Sequence, residues 1–135
     1  MDKTRFEKAV EKHDDGMNCA QAVLASLSDK TGLSEFDSKK LAACFGGGVR
    51  CGELCGAVAG AAMALGMCVA EDGIGSKESC SAEAINEFTA LFNEEFSSLR
   101  CDVLVEKNGK ELCKKYMGFS AEEAEKIIDK MKREE

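Results

Sequence analysis

A chain of 135 residues with 25 acidic against 18 basic side chains, and a formal net charge of −7, offers no basic face to a nucleic acid and no cationic stripe to an anionic membrane. Its length is enough to bury a core as one helical domain spanning 1–135. Proline is absent while Ala, Glu, Lys and Leu are plentiful, so helices run uninterrupted; the fold expected is all-α, a single compact bundle of five to six helices.

In chain order, the first helix is expected from about Thr4 to Asp14, with Thr4 and Glu7 spaced as a capping box and Phe6, Ala9 and Val10 on one face. Gly16 ends it. Asn18 is placed as the N-cap of a second helix, Cys19 to Lys30, which Gly32 stops. A short helix from Ser38 to Cys44 leads to the triple glycine Gly46-Gly47-Gly48. The next begins near Arg50 to Gly52 and continues to Ala70. Its apolar run from Gly56 is shorter than the ~20 residues a bilayer requires, so it reads as a buried central helix. Asp72, Gly73 and Gly75 close it. A long helix from Ser81 to Leu99 carries Ile85, Phe88, Leu91, Phe92 and Phe96 at helical spacing. A brief helix from Lys110 to Tyr116 precedes the last, which Ser120 and Glu123 are expected to open as a second capping box. The terminal KMKREE reads as its solvated end.

Eight cysteines punctuate this pattern: Cys19, Cys44, Cys51, Cys55, Cys68, Cys80, Cys101 and Cys113. The first fifteen residues are charged throughout and lack the apolar stretch of a signal peptide, so a reducing, cytoplasmic location is expected. There, cysteines serve metal binding, catalysis or packing rather than disulfides. Cys19, first in its helix, sits where the macrodipole lowers a thiol pKa. Cys51 and Cys55, four apart, would share one side of a helix start. Gly52, Gly56 and Gly60 recur every fourth residue, at a cost of about 1 kcal/mol each relative to alanine, which calls for close approach of a helix or a cofactor. Gly47 and Gly48 ahead of that helix could turn backbone N–H groups toward an anion or cluster, although no Gly-Lys-Ser/Thr follows as in a phosphate loop. Gly47, Gly48, Gly52 and Gly56 are thus the candidate cofactor-binding glycines.

Several chemistries are excluded or disfavoured. The chain has no Cys-x-x-Cys, which zinc ribbons, rubredoxin-like knuckles, thioredoxin motifs and helical alkylhydroperoxidases require. It has no Cys-x-x-Cys-His, so covalent haem is not expected. His13 is the only histidine and reads as a surface residue. Glu53 reads as a solvated acid, Cys68 as a small buried hydrophobe and Cys80 as exposed.

One ordered set of motifs remains: Gly16-Met17-Asn18-Cys19-Ala20-Gln21, then Ala43-x-Phe45-Gly46-Gly47-Gly48, then Cys55-Gly56-Ala57-x-x-Gly60 with Ala64-Leu65-Gly66, then Phe96 to Cys101, and Cys113. From Gly16 to Cys113 this resembles the C_GCAxxG_C_C family, whose members are classed as redox-active and are similar to part of the split-Soret cytochromes c, which carry haem and an iron–sulfur centre. The resemblance implies that Cys19, Cys55, Cys101 and Cys113 are the family cysteines and form a four-thiolate metal site. Cys44, Cys51, Cys68 and Cys80 are then additions of this chain. Three readings stand side by side. The first is an electron-transfer protein with an iron–sulfur cluster on those four thiols. The second is a metal-free thiol–disulfide protein in which Cys19 attacks and Cys55 resolves. The third is a zinc-bound or cysteine-rich structural module with a protein partner. A redox partner protein and a homo-oligomer are both compatible with the sequence.

Overall fold

In a computed structural model that describes residues 3–133, the local start signals act much as their chemistry dictates. Thr4 accepts a hydrogen bond from the Glu7 N–H and opens α1 (Arg5–Asp14). Asn18 and Gln21 close a reciprocal capping box on α2 (Cys19–Ser26). That helix bends at Leu27 into the single turn α3 (Ser28–Thr31), which Gly32 ends in the left-handed conformation. The helix expected to run unbroken from Cys19 to Lys30 is therefore two segments. Ser34 caps α4 (Glu35–Ala42), earlier than the Ser38 start expected. A 3-10 turn (Ala43–Phe45) and a π-type turn (Gly48–Gly52) follow, then α5 (Gly56–Val69). Ser79 caps α6 (Cys80–Phe96). After α7 (Cys101–Asn108) a 3-10 turn (Lys110–Leu112) runs into α8 (Cys113–Arg133). The described residues form eight α-helices rather than five to six.

Two boundaries differ from expectation for identifiable reasons. Gly47, Gly48, Val49 and Arg50 have φ of +61°, +64°, +60° and +62°. This left-handed turn cannot continue into a right-handed helix, so the central helix starts at Gly56 and not near Arg50 to Gly52. Ser120 does not open the last helix. It is buried inside α8, and its Oγ has no hydrogen-bond partner among the described residues. Gly118, just before it, is a packing residue: a Cβ there would overlap the Phe6 ring of α1. The final two residues of KMKREE lie outside the described residues.

α5 is the central element and packs against α2, α6 and α8, while α1 closes over α2 and α8. Its small side chains make this possible. A Cβ on Gly60 would stand 2.6 Å from the Ala20 carbonyl oxygen and 3.0 Å from Val23 Cβ, so at Gly60 the close neighbour is a helix. Leu24, Leu27, Leu65, Phe88, Phe92, Met117 and Ile128 fill the core around it. The Phe96 ring lies 4.7 Å from Tyr116 and 4.8 Å from Phe92, centroid to centroid, tying α6 to the start of α8. Arg5, almost buried, links α1 to the Ser26 carbonyl, Asp29 and Glu125. Among the described residues no helix is long and apolar enough to cross a membrane.

Candidate functional site

Four cysteines stand at four helix starts. Cys19 is the first residue of α2, Cys55 the N-cap of α5, Cys101 the first residue of α7 and Cys113 the first of α8. The fold brings these starts together, so that all four cysteines line one small cavity with Gly56, Ala57, Leu104, Val105 and Tyr116. Its volume is about 20 Å³, the room of a single water, and its walls are almost wholly apolar. Helix N-termini carry partial positive charge, so this is a place where negative sulfur is favoured by the backbone.

The close approach depends on glycine. A Cβ on Gly56 would overlap Cys19 Sγ and stand 2.9 Å from the Phe45 carbonyl oxygen. A Cβ on Gly48 would stand 2.7 Å from Cys101 Cβ. Two backbone bonds then join the Cys55 and Cys101 segments: Cys55 N–H donates to the Leu99 carbonyl at 2.7 Å, and Cys101 N–H to the Glu53 carbonyl at 2.6 Å.

Burial dominates the acid–base character of the site. Cys55 is 5% exposed, and burial pushes its thiol up to about 12, only partly offset by the N–H groups of Val58 and Ala57. Cys101 and Cys113 are raised as well, by burial first and then by their neighbouring cysteines. These thiols are neutral at pH 7 unless a cation compensates the charge of the thiolates. Tyr116 is held above its usual range by burial; its hydroxyl accepts from Asn108 Nδ2 at 3.0 Å and donates to the Leu104 carbonyl.

The remaining candidates fall elsewhere. Cys51 lies in the π-type turn, not on α5 beside Cys55, and Cys44, Cys51 and Cys80 are exposed. Cys68 is buried near the far end of α5, about 20 Å from Cys55 at 1.5 Å per residue. Of the four candidate glycines only Gly56 lines the cavity. Gly48 packs beneath Cys101, Gly52 against Asp102, and Gly47 has no described atom within 4 Å of an added Cβ. His13 Nδ1 hydrogen-bonds the Met17 carbonyl, a local link at the end of α1. Glu53 is exposed and paired with Arg100. The walls Leu104, Val105 and Tyr116 were not singled out in the sequence. They follow Cys101 and Cys113 by three or four residues, the spacing of one helical face, and that signal is readable only once α7 and the start of α8 are known.

The donor set suits a thiolate-bound metal: four sulfurs, apolar walls and helix N-termini around them. Among the described residues no group of three or more His, Cys, Asp or Glu side chains is arranged to hold an ion as it stands. Binding would therefore require the thiols to turn onto the guest, and a guest larger than one atom would require the walls to part. A protein-family model described as "Putative redox-active protein (C_GCAxxG_C_C)" matches residues 17–127. No curated protein and no solved structure matches the chain.

Proposed function

Because the chain belongs to the C_GCAxxG_C_C family, whose description is redox-active, we propose that it is an electron-transfer protein whose redox centre is iron, with or without bridging sulfide, held by Cys19, Cys55, Cys101 and Cys113. The observation that carries this reading is the meeting of four thiols from four separate helix starts around one apolar cavity. When bound, thiolate-held iron supplies a one-electron couple. The four cysteines would give up their protons on loading, and the helix N-termini would offset the charge that results. Leu104, Val105, Ala57 and Tyr116 give the site its apolar wall, with Cys55 buried and Cys19, Cys101 and Cys113 half-buried, and Asn108 satisfies the buried end of Tyr116.

A metal-free thiol exchange with Cys55 as the resolving thiol fits less well, since exchange needs an accessible thiolate and Cys55 is buried and protonated. Zinc would take the same donors but supplies no electron couple.

The test is anaerobic purification from a host able to build clusters, followed by iron and acid-labile sulfide analysis and visible spectra before and after dithionite. Iron bound to the chain, with sulfur-to-iron absorption that bleaches on reduction and returns on reoxidation, is expected. Sulfide in proportion to iron identifies a cluster; iron without sulfide identifies a single ion. A colourless, iron-free protein, or one that retains zinc alone, refutes the reading.

A further inference from the structure

Arg100 stands beside the thiol cavity without lining it. Its Nη1 donates to Glu53 Oε2 at 2.7 Å, while Nε and Nη2 donate to the two carboxylate oxygens of Asp102 at 3.1 and 3.0 Å. Glu53 lies two residues before Cys55, and Asp102 directly follows Cys101. One guanidinium thus grips both segments that deliver these two thiols.

The same segments meet through the backbone at an isolated antiparallel bridge, Leu54 to Arg100, outside any strand. Two hydrogen bonds without a sheet around them make a weak junction in water. Gly48 is pressed against that junction, where a Cβ would stand 2.6 Å from the Glu53 nitrogen. The ion pairs are open to solvent, with side-chain exposures of 50% for Arg100, 55% for Glu53 and 52% for Asp102, so they add little to global stability. Their placement is better explained by what they hold. Arginine suits it, because its planar fork can engage two carboxylates at once where a lysine ammonium is a single point charge.

We propose that Arg100 is a positioning residue that sets the separation of Cys55 and Cys101 by clamping Glu53 to Asp102. This rests on the four-thiol reading of the cavity, and it acts on that site through geometry rather than by contact with the guest.

The test titrates Co²⁺ into metal-free wild type, Arg100→Lys, Arg100→Ala, Glu53→Gln and the Arg100→Ala/Glu53→Gln double variant, reading thiolate-to-cobalt absorption, with thermal melts of the same metal-free samples. Arg100→Ala is expected to weaken Co²⁺ binding about tenfold, as loss of an outer partner of a metal ligand does, and Arg100→Lys is expected to fall between it and wild type. The metal-free melting temperatures should agree within about 3 °C, as for an exposed ion pair. Glu53→Gln should weaken binding in the same direction, and the double variant should be no weaker than Arg100→Ala, because both changes remove one interaction. Arg100→Ala binding Co²⁺ like wild type overturns the clamp, and so does Arg100→Lys behaving as wild type or full additivity in the double variant. A larger fall in the metal-free melting temperature of Arg100→Ala also overturns it, by showing a structural role. Absence of thiolate–cobalt absorption in wild type overturns the four-thiol reading itself, and the clamp with it.

Discussion

Replacing Gly56 by alanine probes the packing of the thiol site with a single methyl group. The added Cβ would overlap Cys19 Sγ, and it would stand 2.9 Å from the Phe45 carbonyl oxygen and 3.3 Å from the Ala20 nitrogen. The last two are backbone atoms and cannot swing away, so either the start of α2 shifts or the Cys19 side chain turns out of the cavity. Overpacking of this kind costs about 1–3 kcal/mol, against at most about 1 kcal/mol gained by replacing glycine with alanine in a helix. With the full gain of about 1 kcal/mol subtracted, the net expectation is a loss of about 0–2 kcal/mol, together with Co²⁺ binding weakened by about tenfold or more, on the order expected when the support of a ligand is disturbed. Gly66 on the same helix is the matched control: an added Cβ there meets no described atom within 4 Å, so Gly66→Ala should be stabilising by up to about 1 kcal/mol. Urea unfolding reads the first effect as a change in midpoint at constant slope, and Co²⁺ titration reads the second. A Gly56→Ala protein as stable as Gly66→Ala, with unaltered Co²⁺ affinity, would refute the packing argument.

Other consequences follow from the remaining geometry. Val49 is a β-branched residue held at φ +60°, a conformation that costs about 1–2 kcal/mol for a non-glycine residue, so Val49→Gly should raise the urea midpoint; an unchanged or lower midpoint would contradict the strain. The Arg5 guanidinium holds the Asp29 carboxyl below its ordinary range. Its contribution to stability is therefore complete above the unfolded value near pH 4 and is lost as pH falls through the depressed folded value. Unfolding midpoints measured from pH 5 down to pH 2 should fall less steeply for Asp29→Asn than for wild type, and parallel curves would count against the ion pair. Iodoacetamide on the folded, metal-free protein at pH 8 should label the exposed Cys44, Cys51 and Cys80 first and reach the buried Cys55 and Cys68 only on unfolding. Peptide mapping that finds Cys55 labelled as fast as Cys44 would contradict its burial.

What could be read from the sequence was mostly what a side chain does to its own backbone. Thr4 and Asn18 bond to N–H groups three residues on, so α1 and α2 were legible at their starts, and with α2 the place of Cys19. Cys101 has no such marker: its helix begins after Arg100 with no side-chain cap, and α7 was missed. Ser120 and Glu123 have the spacing of a cap, yet their stretch is helical interior, because the packing of α1 over Gly118 outweighs a local signal. The four-residue spacing of Cys51 and Cys55 misled because it assumes helical backbone between them. Val49 and Arg50 give no local sign of a left-handed turn, which is set by Gly48 lying under Cys101, distant in the chain. The grouping of Cys19, Cys55, Cys101 and Cys113 came from the order of family motifs. Their meeting at one cavity is a property of four helices packed together, which spacing alone does not encode.

The central claim is that these four thiols act as one metal site while the other four cysteines do not. Iron content per chain, measured on anaerobically purified protein for the eight single Cys→Ala variants, tests it most directly. Iron should fall sharply for changes at Cys19, Cys55, Cys101 and Cys113 and stay at the wild-type level for changes at Cys44, Cys51, Cys68 and Cys80. Iron retained in the first group, or lost evenly across all eight, would contradict the account.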